Sequence, residues 1–282
     1  MYKTLLFFLL LSTSFSQTST TSIFKSQEGF SFLVLVTLCS LIYYFIRQAK
    51  SGKKLWIRRI PALASVEEAV GRATEMGKAC VFIPGIMDID DIQTLAGLNI
   101  LGSVARKTAE YDTELKVPVA KSMVLSTAQD VVKEAYYRTG HPDTFNESNI
   151  QFVTDDQFAF AASVNGMLVR EKPAAIIMLG TFYAESLLIA ETGNHIGAIQ
   201  IAGTAETSQL PFFVASCDYV LIGEELFAAS AYLSNDPMLL GSLKGQDYAK
   251  MLLMIFIVYG LLAELSIRLF YFPEFLSLLQ YI

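Results

Sequence analysis

Two Gly-Thr pairs, Gly180-Thr181 and Gly203-Thr204, each follow an apolar run, AAIIML and AIQIA, and are the best-placed groups for ligand chemistry in this chain. Between the runs lies an amphipathic segment, FYAESLLIAETG, which ends at Gly193. Short β-like runs separated by a helical period predict strand, helix, strand, and the intervening length suits a parallel crossover. Both pairs then fall at the carboxyl ends of neighbouring strands, where open α/β sheets receive ligands. Gly85 ends an earlier run, and Glu185 lies one helical turn past Thr181. With a strand order of 3-2-1-4-5-6, Gly85, Gly180 and Thr181 would line the crevice between the first and fourth strands, with Glu185 close behind.

The ligand-binding candidates are therefore Gly85, Gly180, Thr181, Glu185, Gly203 and Thr204. Lys121, Ser122, Asp155 and Glu224 fall at further predicted strand ends. Glu185, Glu206, Glu224 and Glu225 would form an acidic pocket for a cation or an amine if the fold gathers them. The same acids also suit first helical turns, whose partial positive charge they offset, and the same glycines suit close packing of helix on strand.

Most other chemistry is excluded. The first strand-to-helix turn reads PGIMDIDD and lacks GxGxxG, and Asp88, Asp90 and Asp91 crowd the helix start that would have to receive a pyrophosphate. Lys121, not an acid, ends the second strand, so no dinucleotide cofactor is expected. A calcium loop starting at Asp88 would need Gly at position 93 and Glu at position 99, where the chain has Gln93 and Asn99. GRATEMGK, Gly71 to Lys78, has the wrong glycine spacing for a phosphate loop and precedes a strand instead of following one. His141 and His195 have no companion ligands at zinc spacing. GxSxG and HExxH are both missing. No catalytic residue, metal site or cofactor is assigned.

The elements that would carry these groups follow from the apolar pattern. The chain is 53% hydrophobic and 17% charged, with a mean hydropathy of +0.44, too apolar for an ordinary soluble domain. A net charge of −6 and a pI near 5.1 argue against nucleic acid as a partner. Residues 1–16 read as a signal peptide or an uncleaved first anchor. Residues 29–46 read as a transmembrane helix, followed by a basic juxtamembrane linker, 47–60, holding Arg47, Lys50, Lys53, Lys54, Arg58 and Arg59. That cluster places the following domain in the cytoplasm and suits contact with anionic lipid. Residues 61–248 form the α/β domain, 250–272 a second transmembrane helix, and 273–282 a short apolar tail. In the second span, Glu264 and Arg268 are spaced as a helical pair, either at the interface or against another subunit.

Within the domain, helices are expected at Ser65–Lys78, with Ser65 and Glu68 as a capping box, and at Asp88–Asp112, with Leu95, Leu98, Leu101 and Val104 or Ala105 on one face. Others are expected at Ser126–Thr139, Asp155–Glu171, Thr207–Ser216 and Glu224–Leu233. Strands are expected at Ala79–Ile83, Leu115–Ala120, Ile150–Val153 and Tyr219–Ile222, besides the two apolar runs. Pro118 points to a strand that is at the edge or short. Cys39, Cys80 and Cys217 read as buried free thiols in a reducing compartment. About six strands alternating with helices give a Rossmann-like, three-layer, mostly parallel sheet flanked by transmembrane helices.

From Glu67 to about Lys250 the chain resembles an uncharacterised family of prokaryotic membrane proteins with a single cytoplasmic α/β domain between hydrophobic ends. The stretches that carry the resemblance are EEAVGRATEMGK, TLAGLNILGSVARKTAEYD, GTFYAESLLIAETGNHIGAIQIAGT, QLPFFVASCDYVLIGEELFAASAYLS, and DP with GSLKGQD. The resemblance implies the architecture and no activity. The expected function is a membrane-anchored homo-oligomeric scaffold or sensing protein, with FFVAS and LFAASAYL as apolar surfaces. A small-molecule or cation-binding enzyme or receptor using the strand-end groove is the alternative, and an oligomeric pore with Glu264 as gate is a third.

Overall fold

The computed structural model describes residues 26–51, 61–234 and 236–271. The expected leader or anchor at 1–16, most of the basic linker and the tail at 273–282 lie outside the described residues. The chain divides into an α/β unit, residues 45–244, and a helical unit, residues 1–44 with 245–282.

Six strands form one sheet, β1 (Cys80–Ile83), β2 (Leu115–Val119), β3 (Ile150–Phe152), β4 (Ala175–Leu179), β5 (Ile199–Thr204) and β6 (Tyr219–Ile222), in the order β3-β2-β1-β4-β5-β6. Every ladder is parallel. The described helices are α1 (Ser26–Lys50), α2 (Pro61–Met76), α3 (Ile92–Glu110), α4 (Ser122–Thr139), α5 (Gln157–Glu171), α6 (Glu185–Ile196), α7 (Leu210–Ser216), α8 (Glu224–Ser234) and α9 (Pro237–Tyr271).

Helices cover both faces of the sheet. Phe82, Val117, Ile177, Leu179 and Ile201 pack with α2, α3, α4 and α8. Val81, Ile83, Ile176, Met178 and Ala202 pack with α5, α6 and α7. Coverage on both faces explains why the central strands, CVFI and AIIML, are apolar without alternation and wholly buried.

Several elements differ from the sequence reading, each for a local reason. Helix α2 begins at Pro61, a residue suited to the first helical position, so Ser65 lies inside the helix and is not its cap. Helix α3 begins only at Ile92, because Asp91 caps it by accepting a bond from Thr94 N at 3.1 Å. On that helix Leu98, Leu101, Val104 and Ala105 are buried as expected, but Leu95 is 43% exposed. Strand β2 is neither at the edge nor short: it lies between β3 and β1 and, at five residues, is as long as β4. Its ladder with β1 uses only Leu115 and Lys116, and Pro118 pairs on the β3 side.

Helix α6 runs through Gly193 and stops at Gly197, whose φ of +73° takes the left-handed cap. Gly193 is there because Gln200 and Ile176 fill the space a side chain would need. His195 therefore sits in the last helical turn, exposed. Asp236 accepts a bond from Met238 N at 2.8 Å and so caps α9, which starts at Pro237, well before Lys250.

In the helical unit, Gly245 of α9 lies against Ile42 of α1, where a Cβ would come within 2.8 Å of the Ile42 Cα. Small residues permit this approach of two helices. The spans Ser31–Lys50 and Pro237–Ser266 are long and apolar enough to cross a membrane, by length and composition. Cys39, expected to be buried, is exposed on α1.

Candidate functional site

The strand order brings the ends of β1 and β4 side by side, and the two turns there close on each other. Gly85 has a φ of +84° and Gly180 a φ of +145°. A Cβ on Gly85 would lie 2.7 Å from the Thr181 carbonyl oxygen, and one on Gly180 would lie 2.5 Å from that of Pro84. Ile86 N donates to Thr181 O at 3.1 Å across the same seam. Gly97 of α3 rests on the Leu179 carbonyl, where a Cβ would meet oxygen at 2.5 Å. The glycines at this crevice are thus in contact with protein backbone.

The start of α3 completes the closure. The Asp91 carboxylate sits on the helix N-terminus, where partial positive charge favours an anion. Its Oδ2 accepts from Thr94 N and Thr94 Oγ1, both at 3.1 Å, and from Thr181 Oγ1 at 2.5 Å. A carboxylate of the chain itself therefore occupies the position that a phosphate takes in nucleotide-binding sheets of this architecture.

Two residues on, Gln93 Oε1 accepts from Ala205 N at 2.6 Å and from Thr204 Oγ1 at 3.2 Å. Thr204 Oγ1 in turn accepts from Glu206 N at 3.2 Å. The first turn of α3 is so tied to the ends of both β4 and β5. Gly203 is a packing position, since a Cβ there would approach Leu179 at 2.8 Å and Leu221 at 2.9 Å.

Glu185 is fully buried at the start of α6. Its Oε1 accepts from Tyr183 N at 2.8 Å and its Oε2 from Gln157 Nε2 at 2.5 Å, which links α6 to the first turn of α5. The acidic pocket expected from Glu185, Glu206, Glu224 and Glu225 is not assembled. Glu185 turns inward to Gln157, and Glu225 Oε2 accepts from Ile222 N at 3.3 Å. Among the described residues no group of three or more His, Cys, Asp or Glu side chains is placed to hold a metal ion.

All six candidate residues thus meet at the carboxyl end of the sheet, as their positions at strand ends predict. Their polar groups bond to one another and to Asp91, Gln93 and Gln157, which the sequence reading did not pair with them. The only advance signal was the DxDD run at a helix start.

A match to a family model spans residues 19–273, described as a domain of unknown function (DUF6754). The chain belongs to this family. No curated protein matches the chain, and no solved structure matches it. The family match runs from before α1 to past α9, so both apolar helices and the sheet belong to one family unit.

The two thiols of the α/β unit are chemically quiet. Burial pushes the Cys80 thiol up from the ordinary 9.0 to about 12, and burial does the same at Cys217, also to about 12. A raised thiol pKa keeps the unreactive protonated form. Iodoacetamide at pH 8 is expected to leave Cys80 unlabelled in the folded protein and to label it after denaturation, read by peptide mass spectrometry. The stability contributed by burying the neutral thiol is fully present below pH 9 and is lost as pH rises toward 12, because only the unfolded chain then releases the proton.

Proposed function

We propose that this chain is a prokaryotic membrane-anchored protein that works as a homo-oligomeric scaffold or sensing module, with its α/β unit at the cytoplasmic face. The observation that carries the reading is the internal pairing at the carboxyl end of the sheet. Asp91 holds the anion position of α3, and Thr181, Thr204 and Glu185 bond within the protein.

The membrane part rests on the exposure of α9. Leu253, Met254, Ile255, Phe256, Ile257 and Val258 are consecutive and each at least 41% exposed. Six successive residues point in every direction around a helix, which supports a hydrocarbon surround over a single protein groove. Arg47 and Lys50 lie in the last turn of α1 with four more basic residues close behind in the sequence, which supports a cytoplasmic placement of that end.

Self-association is supported by apolar side chains on one face of the α/β unit. On α6 Leu187 and Leu188 are 41% and 42% exposed, and on α7 Phe212 and Val214 are 42% and 58% exposed. Within FFVAS, Phe212 and Val214 are exposed and Phe213 is buried in the core. Within LFAASAYL, Leu226, Ala229 and Ala231 are buried against the core and Tyr232 is exposed.

Native mass spectrometry of the detergent-solubilised chain is expected to show a homo-oligomer, and monomer alone would overturn the reading. A thermal shift with a nucleotide, a sugar phosphate or a divalent cation, lost in Glu185→Gln without unfolding, would instead favour a ligand groove at the strand ends.

A further inference from the structure

The outer layer of the α/β unit made by α5, α6 and α7 turns a nearly uncharged face to solvent. Phe160, Val164 and Leu168 of α5, Ile189 of α6 and Phe213 of α7 pack inward on one side of the sheet. Side chains tie the three helices together. Asn165 Nδ2 of α5 donates to Leu188 O of α6 at 3.3 Å, and Ser186 Oγ of α6 donates to Oε1 of Gln209, the residue before α7, at 3.0 Å. On the outward side large apolar residues stay uncovered on all three helices: Phe158 and Val169, Leu187 and Leu188, Phe212 and Val214. Between Phe158 and Val169, α5 presents small side chains, with Ala159, Ala162 and Ser163 exposed along the same stripe.

The charge pattern says what such a face can meet. Among the described residues, Arg170 and Glu191 are the exposed Lys, Arg, Asp or Glu side chains of α5, α6 and α7, one of each sign. Helix α4, which packs on the other side of the sheet, by itself exposes Asp130, Lys133, Glu134 and Arg138. The chain carries a net charge of −6, so two copies repel one another in general and approach at least cost through a neutral face. An anionic leaflet draws proteins through clusters of Lys and Arg, and a single arginine does not supply one. A strongly charged protein partner finds no matching counter-charge here either. The six large side chains expose roughly 600 Å² per copy, taking about 200 Å² for a whole large residue. The small residues between them bring the face near the about 800 Å² that each partner gives to a stable interface.

We propose that a second copy of this chain covers the α5–α6–α7 face in an isologous dimer, α5 against α5, with the two-fold axis near Ala162 and Ser163. Antiparallel α5 helices then bring Phe158 of each copy toward Val169 of the other, a contact that two-fold symmetry makes twice. The small residues at the axis let the two helices approach closely, and Leu187, Leu188, Phe212 and Val214 extend the contact to either side. This interface rests on the homo-oligomer reading above and names the surface it uses.

The test uses the detergent-solubilised full chain with Cys39→Ser, which removes the exposed thiol of α1. Ala162→Cys is expected to give a covalent dimer with a short bis-maleimide, and Ser126→Cys, exposed on α4, is expected to give none. Phe158→Lys and Leu188→Lys put charge at exposed positions, so thermal melts should stay close to the parent. Light scattering over a dilution series is expected to show self-association weakened about tenfold or more in each. A parent chain that is monomeric at every concentration would remove the homo-oligomer reading and this interface together. An oligomer that persists in both lysine variants, with no cross-link from position 162, would leave that reading standing and overturn the interface. Quenching of a fluorophore at position 162 by brominated lipid in nanodiscs, without the cross-link, would mean that lipid covers the face and would overturn it as well.

Discussion

Gly180→Ala is expected to destabilise the protein by about 3 kcal/mol or more, from two independent costs. An L side chain at a φ of +145° is strained whatever space it has, at roughly 1–3 kcal/mol. The new Cβ would also lie 2.5 Å from the Pro84 carbonyl oxygen and 2.9 Å from its carbon, so the β1 turn must move, at roughly 1–3 kcal/mol for overpacking. For a domain of this size the sum corresponds to a fall in Tm of about 6–12 °C. Gly166→Ala is the control. Gly166 lies in α5 with ordinary φ and nothing within 4 Å of an added methyl group, so the change should be neutral or stabilising by about 0.5–1 kcal/mol. Thermal melts of the two variants decide what the Gly-Thr pair is for. A glycine held open for a ligand would show only the φ cost of roughly 1–3 kcal/mol; a glycine that closes a backbone seam would show both costs.

Asp91→Ala is expected to cost about 2–4 kcal/mol. Loss of the N-cap to Thr94 N contributes roughly 0.5–2 kcal/mol. The remainder comes from the hydroxyls of Thr94 and Thr181, 0% and 3% exposed, which lose a charged acceptor inside the protein. Thr181→Val tests the second part separately, since it keeps the cap and removes only the bond from the β4 end to the α3 cap at 2.5 Å. The double variant should be less destabilised than the sum of the singles by about 1 kcal/mol or more, as expected for two residues in direct contact. Strict additivity in chemical denaturation would mean that the Asp91–Thr181 bond does not hold the β4 end to α3.

These two seams lie at the crevice between β1 and β4 of a doubly wound sheet. The strand order alone would open a site between β1 and β4. Here that opening is filled from both sides, by a backbone contact between two glycines and by an acid that takes the anion position of the helix. Exposed apolar side chains lie on α6 and α7 of the α/β unit and along α9.

The sequence by itself determined the order and type of the elements. Apolar runs of strand length alternating with helical periods predicted six strands, and burial on both faces is the reason those runs are continuous. It also placed both long apolar helices and all six candidate residues at strand ends, because a residue's position along a strand is a local property. Element limits needed more. Gly193 looked like a helix stop, yet Gln200 and Ile176 pack over it and Gly197 carries the cap instead. Leu95 matched the apolar stripe of α3 and still faces outward, because the stripe is defined by what packs on it. Only the tertiary structure decided the pairing of the site. Asp91 with Thr181 and Gln157 with Glu185 are 90 and 28 residues apart, and spacing carries no information about which distant groups a crossover brings within 3 Å. The same Gly-Thr sequence serves a ligand or a closed seam depending on the turn that lies opposite, and here the opposite turn is Pro84-Gly85.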